Sequence, residues 1–487
     1  MNNIAESVQS AELCIGTLFQ AVLDNEARYT KLQGRKPDIL ALAAELRMDT
    51  LFILMDLSAS HLACCKTKEP YACRYHIKNL YAGMQEAYKL LFGYGKSQRY
   101  TIWSRIGEAI NSSPIRDWEE HSRLESLFQE VSLKLKDLVG GNIDKTHRDL
   151  TYHYDADMRQ VYLYTLEAND LDEVSNTFIT YMAVLTDMTS FCDNIEECLR
   201  KKGIDTVVEI ESTSIDKSIH LTVIQDLSKN KELPGLLEEI LNDVKPIDDY
   251  ALYLEKFNKL NELTNTTIKL PEIENVFVML NLYLTVMFMR ADMATITQSI
   301  LFSKTNGEAM LNMRRYVITI TAAFGHLYGY SADERSKSIW SSVLSMIPED
   351  AESLKKEAVQ TDGLLQKAVM NRDMTVRTCY AHLYDNTTRM TNIPSIMDLL
   401  KKQNPILELQ KVTLMLKTIK LVMDFMKDVM EELSNRAHDS NVESSNELRD
   451  TLLKIKNIID YPNCPVELRE KISEMIGKIQ GLTGITM

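Results

Sequence analysis

The sequence predicts an all-α protein built from two diverged copies of one helical domain. Three observations carry this. Helix breakers are scarce in the 487 residues, with 17 glycines and 11 prolines, about half the usual share. Apolar residues recur at helical spacing, as at Leu51, Leu54, Met55 and Leu57, and at Leu414, Leu416, Ile419, Val422, Met423 and Met426. Short sequence anchors also recur, in order, in the two halves of the chain.

The anchors define the copies. Gly93-Tyr94 and Ile102-Trp103-Ser104 return as Gly329-Tyr330 and Ile339-Trp340-Ser341. Upstream, Lys66-Thr67 and Arg74-Tyr75 answer to Lys304-Thr305 and Arg315-Tyr316. Downstream, Phe191, Glu197 and Leu199 answer to Phe425, Glu431 and Leu433. One copy therefore runs over 45–202 and the other over 272–437. Residues 1–45 hold leading helices, and 438–487 hold C-terminal helices broken near Pro462 and Pro465. The linker, 203–271, has a different character. Thr206 to Glu211 and Ser218 to Ile224 alternate apolar and polar residues, which reads as a small β-hairpin, and Leu236 to Val244 reads as a short helix. The apolar run Val276 to Met289 contains Asn281 and is too short to span a bilayer, so it reads as a core helix. The opening residues lack a basic leader. The eight cysteines form no C-x2-C pair, which suits free thiols in a reducing compartment. The expectation is a cytoplasmic protein, without cofactor and without membrane partner. A net charge of −14 disfavours indiscriminate nucleic-acid binding but leaves room for a local phosphate site.

The strongest match between the halves is N-x-D-x-T-x-R-x4-H. Asn142, Asp144, Thr146, Arg148 and His153 align without a gap to Asn371, Asp373, Thr375, Arg377 and His382. Tyr154-Asp155 then pairs with Tyr384-Asp385 after a one-residue shift. Gly140-Gly141 ends the preceding helix, and Thr146 with Asp149 has the character of a capping box. The arginine then falls in a first helical turn. Side chains five residues apart on a helix are separated by about 140° and about 7.5 Å, so they flank one object lying across it, such as a phosphodiester. Histidine exchanges protons near neutrality. Arginine offers a planar donor fork that fits phosphate oxygens. The pair suits metal-free RNA cleavage in which the 2′-hydroxyl attacks its own phosphorus.

Two helical repeats with R-x4-H resemble HEPN domains. The resemblance implies a metal-independent endoribonuclease working as a pseudo-two-fold pair, with Arg148, His153, Arg377 and His382 lining a cleft between the repeats. It also implies RNA as substrate and a toxin or antiviral defence setting, with an antitoxin or defence-complex protein as partner, and it leaves a homo-oligomer open. Asp149 fits the polar residue that many members carry after the arginine. Arg377, His382 and Tyr384 match the R-x4-H-x-Y form of a toxin branch whose tyrosine is nucleotidylated, whereas the first copy has Asp155 at that place.

Other readings of the same residues stay open. Asn142, Asp144 and Thr146 also suit helix-entry roles, as caps and turns, beside support of the site. The arginines suit buried ion pairs with Asp155 and Asp385, and the histidines suit satisfied core positions. His147, His153, Asp155 and Asp157 cluster in the first copy, but the second keeps one of those histidines, so a metal site is disfavoured. The alternative function is an inactive helical scaffold, or a subunit of a larger assembly, that binds a partner protein or a nucleotide.

Overall fold

The computed structural model describes residues 2–93, 101–141, 171–210, 232–244, 271–331, 333–369, 374–385, 390–439 and 466–483, with four helical residues between 221 and 229. The fold is all-helical. The first half holds α1 (Asn2–Leu32), α2 (Asp38–Lys66), α3 (Pro70–Phe92), α4 (Ile102–Ile110), α5 (His121–Gly141) and α6 (Leu171–Lys201). A connecting helix, α7 (Glu232–Asp243), leads to α8 (Pro271–Leu301), α9 (Asn306–Tyr328), α10 (Ile339–Ser345) and α11 (Glu352–Val369). Then come α12 (Met374–Ala381), a two-rung hairpin of β1 (Tyr384–Asp385) and β2 (Met390–Thr391), α13 (Ile393–Lys402), α14 (Pro405–Asp439) and α15 (Val466–Thr483). Among the described residues no helix is long and apolar enough to cross a membrane.

The element order α2–α3–α4–α5–α6 has the same sequence of long and short helices as α8–α9–α10–α11–α14. α3 and α9 are each 23 residues long, and each ends at a glycine with positive φ, Gly93 (66°) and Gly329 (92°). Only glycine adopts that region without strain. At Gly329 a Cβ would also come within 2.8 Å of the Arg335 backbone. The Ile-Trp-Ser triplets open α4 and α10 and are capped alike. Thr101 Oγ1 accepts from the Ser104 amide at 3.3 Å, and Ser338 Oγ accepts from the Ser341 amide at 3.1 Å. Both tryptophans pack on the phenylalanine of the downstream anchor, Trp103 on Phe191 at 5.5 Å and Trp340 on Phe425 at 5.4 Å.

Four sequence expectations are corrected here. α3 and α9 are in register at a constant difference of 236 in residue number, so Arg74 and Arg315, the fifth and tenth residues of their helices, are not counterparts. Lys66 likewise ends α2, whereas Lys304 lies beyond the end of α8. Leu414 faces outward, 44% exposed, although the other apolar residues of its set are buried. The expected hairpin over 206–224 is absent among the described residues. Residues 204–210 carry no strand, and Leu221 and Ile224 are helical. Among the described residues no strand lies beside 204–210. Instead Arg28 donates to the Thr206 carbonyl at 3.0 Å, and Lys31 donates to that of Glu209 at 2.6 Å. The connecting helix expected over 236–244 is present as α7, and the apolar run 276–289 lies inside α8. The proline-broken part of the tail lies outside the described residues.

Two apolar cores form. The first is built from α1–α6 with Met310, Leu311 and Ile318 of α9, and the second from α7–α11 and α14 with Tyr71 and Tyr75 of α3. The segment α12–hairpin–α13 belongs to the second half of the chain, yet Tyr380, Leu383, Ile393, Ile396, Met397 and Leu400 join the first core. Between the cores, polar side chains cross the seam. Asp56 of α2 takes Arg314 at 2.8 Å and Arg315 at 2.7 Å, both from α9. Asp292 of α8 takes the Tyr71 hydroxyl at 2.6 Å and faces Lys78 of α3 at 3.8 Å. Asp56 and Asp292 each lie fourteen residues before the next helix begins, and Lys78 and Arg314 each lie eight after that start. His76 of α3 meets the Ser299 hydroxyl of α8 at 3.1 Å.

All three charges of the Asp56 cluster are buried. Burial works against the charged carboxylate, but Arg314 and Arg315 overcome it and hold Asp56 below the usual carboxylate range. Replacing Asp56 by Ala strands two buried cations. Urea unfolding of Asp56→Ala is expected to show a loss on the order of 3–5 kcal/mol, whereas an exposed control such as Asp38→Ala stays within about 0.5 kcal/mol.

His76 provides a pH signature. Burial, and then the Arg315 charge, lower its imidazole to about 3. The unfolded chain takes up a proton near pH 6.5 that the folded chain refuses. This contribution to stability is therefore present above pH 6.5 and is lost progressively as pH falls toward 3. A His76→Gln variant should show a shallower decline of unfolding free energy between pH 6.5 and 5 than the parent. Equal slopes would contradict the assignment.

Candidate functional site

The short helix α12 exists to deliver the second motif. Its eight residues place Thr375 and Arg377 in the first turn and bury Tyr380. Thr375 is the second residue of the helix. The helix ends at Ala381, so His382 lies just beyond it. Arg377 and His382 are thus not five positions apart on one continuous helix. The chain turns at His382 into β1, which carries Tyr384 and Asp385. These pair in register with Thr391 and Met390.

Asn392 closes this turn. Its side-chain amide donates to the His382 carbonyl at 2.8 Å, and its backbone amide donates to the Leu383 carbonyl at 2.8 Å. The far side of α12 is fixed by Arg314, whose Nε donates to the Tyr380 carbonyl at 2.9 Å while its Nη1 holds Asp56. The motif helix is therefore tied to both halves through one guanidinium. Burial pushes the Tyr380 hydroxyl above the ordinary phenol range, and that hydroxyl has no hydrogen-bond partner among the described residues.

His382 meets an acid from the other half of the chain. Its Nδ1 lies 3.8 Å from Oε2 of Glu86, on α3. The Glu86 side chain is 7% exposed and the imidazole 38%. The carboxylate is shielded, while the ring reaches solvent. Nδ1 itself is buried and has no hydrogen-bond partner among the described residues, which separates His382 from a satisfied core histidine. Arg377 is half-buried, and its Nε is likewise without a partner. Among the described residues Arg377 makes no ion pair, so the reading of this arginine as an interface ion pair finds no support there. An open imidazole with one nitrogen toward a carboxylate can exchange protons. A guanidinium with unspent donors can hold a phosphate oxygen.

Arg148, His153, Asn142, Asp144, Thr146, Asp149, Tyr154 and Asp155 of the first copy lie outside the described residues, as do Asn371 and Asp373. The His147, His153, Asp155 and Asp157 cluster also lies outside them. Among the described residues no set of three or more His, Cys, Asp or Glu side chains is arranged to hold a metal, and the seven described cysteines are free thiols.

Sequence reasoning missed Glu86 and Asn392. A signal for Glu86 was present. It is a carboxylate among the buried apolar positions of α3, and its counterpart 236 residues on is Ala322. Asn392 sits beside a proline-led helix start, where an asparagine looks like ordinary turn chemistry.

No family model, no curated protein and no solved structure matches the chain.

Removing the Asn392 side chain should loosen the turn that holds His382. Amide exchange across residues 382–392 is expected to speed up in Asn392→Ala by about tenfold, corresponding to the loss of one hydrogen bond worth about 1–1.5 kcal/mol, while the exchange of α2 and α8 stays unchanged. Uniform acceleration throughout the chain would point instead to global destabilisation.

Proposed function

We propose that the chain is a tandem HEPN-like, metal-independent endoribonuclease, with its active cleft at the seam between two helical repeats related by a pseudo-two-fold axis. One observation carries the reading. His382 of the second repeat lies against Glu86 of the first, with the unspent Arg377 on the helix that leads to it. A composite site between repeats needs such a meeting. The reciprocal seam contacts, Asp56 with Arg314 and Asp292 with Lys78, support the two-fold relation, because a two-fold interface repeats each contact in the opposite sense.

In this reading Arg377 clamps a phosphate oxygen and stabilises the charge that develops on it, and His382 moves the proton of the 2′-hydroxyl. Arg148 and His153 serve the same roles from the first repeat. The 2′ oxygen forms a bond to phosphorus, the bond to the 5′ oxygen breaks, and a 2′,3′-cyclic phosphate remains. RNA is the substrate, and a toxin or antiviral defence setting with a controlling protein partner follows from the family resemblance. The net charge of −14 favours a second reading, in which the same bundle is an inactive scaffold that binds a partner protein or a nucleotide.

Purified protein in excess chelator is expected to cleave bulk cellular RNA and leave 2′,3′-cyclic phosphate ends. Replacing His153 and His382 together by Ala should lower the rate by about 10²–10⁴-fold, and Arg377→Ala should lower it comparably. Equal, background-level products from parent and variants would favour the scaffold.

A further inference from the structure

Glu86 lies outside the R-x4-H motif, in the other repeat, and its carboxylate faces the inner nitrogen of His382. We infer that Glu86 is the positioning residue for His382, fixing the tautomer with its proton on Nδ1 and leaving Nε2 as the atom that takes the 2′-hydroxyl proton. The inference rests on the nuclease reading for its chemistry, but not for its geometry.

Three features converge on this role. The carboxylate is shielded at 7% exposure, so water competes poorly for it, and the imidazole is open enough to meet a substrate. Nδ1 is buried and otherwise unpartnered, so an acceptor on that side decides which nitrogen carries the proton. The backbone of His382 is pinned from behind by Asn392 at 2.8 Å, so the ring has limited freedom to turn away. The present separation of 3.8 Å is longer than a hydrogen bond, and such contacts in unliganded sites commonly tighten when substrate arrives.

The step balances simply. Nε2 accepts the 2′-hydroxyl proton as the 2′ oxygen bonds to phosphorus. The imidazolium so formed keeps its Nδ1 proton directed at Glu86, whose charge stabilises it. The 5′ oxygen departs and takes a proton from water. At the matching position of α9 stands Ala322, so α9 offers no carboxylate there. Among the described residues the acid comes from α3.

The test uses full-length protein labelled with ¹⁵N-histidine, with His382→Ala to assign the resonance. Long-range proton–nitrogen correlation at a pH where the ring is neutral reads the tautomer directly. The parent is expected to show the Nδ1–H form. In Glu86→Leu the acceptor is gone and no donor replaces it, so the ring should shift to the Nε2–H form that a free imidazole favours. RNA cleavage should then fall by about 10²-fold or more, with the KM for RNA unchanged. An Nε2–H tautomer in the parent, or the same tautomer in parent and Glu86→Leu, overturns the inference whether or not RNA is cleaved. A tautomer that follows Glu86 in a protein that cleaves nothing upholds the positioning and removes the nuclease reading.

Discussion

The arrangement of the molecule depends on one buried carboxylate shared by two guanidiniums. Asp56 holds Arg314 and Arg315 at 2.8 and 2.7 Å in the seam between the cores. Three charges out of water are tolerable only because each finds a partner. Arg314 has a donor to spare and passes it to the Tyr380 carbonyl, while Arg315 also reaches the backbone of Asp56 and the Asn312 side chain. The register of α2 against α9 and the seat of α12 are thereby set by the same cluster. The position of His382 follows from that seat and from the Asn392 latch behind it.

The two sides of the seam are alike in plan and unlike in chemistry. Asp56 receives two arginines, whereas Asp292 receives a tyrosine hydroxyl and a more distant lysine. Glu86 faces His382, whereas its counterpart is Ala322. An identical pair of subunits could not differ in this way. Because the halves differ here, a carboxylate of one half, Glu86 of α3, meets a histidine of the other, His382.

Much of the fold was legible because its signals are local. The capping residues Thr101 and Ser338, the Ile-Trp-Ser helix starts and the C-cap glycines Gly93 and Gly329 are written in adjacent residues. The Phe191 and Phe425 anchors hold because they pack on the two tryptophans. What misled was matching by residue type without register. Arg74-Tyr75 looks like Arg315-Tyr316, but the charge that answers Arg314 is Lys78. The strand-like pattern at 206–210 misled for a different reason. Period-two alternation marks a strand only where a second strand lies alongside, and here the carbonyls are taken by Arg28 and Lys31. Of the site, the residues Arg377 and His382 were legible as a repeated motif. Glu86 stood out only as a carboxylate among apolar positions, and its meeting with His382 was not legible, because a contact between residues almost three hundred positions apart leaves no spacing rule in the sequence.

The exchange of α12, the hairpin and α13 into the first core also bears on how the chain is made. Tyr380, Leu383, Ile393, Ile396, Met397 and Leu400 complete a core whose other members precede residue 200, apart from Met310, Leu311 and Ile318 of α9. During synthesis the amino-terminal half waits with that surface uncovered until residue 400 has left the ribosome, roughly 10–40 s at ordinary elongation rates. A nascent chain of this design has a long interval in which a chaperone, or another copy on the same messenger, can reach the gap before its own arm arrives.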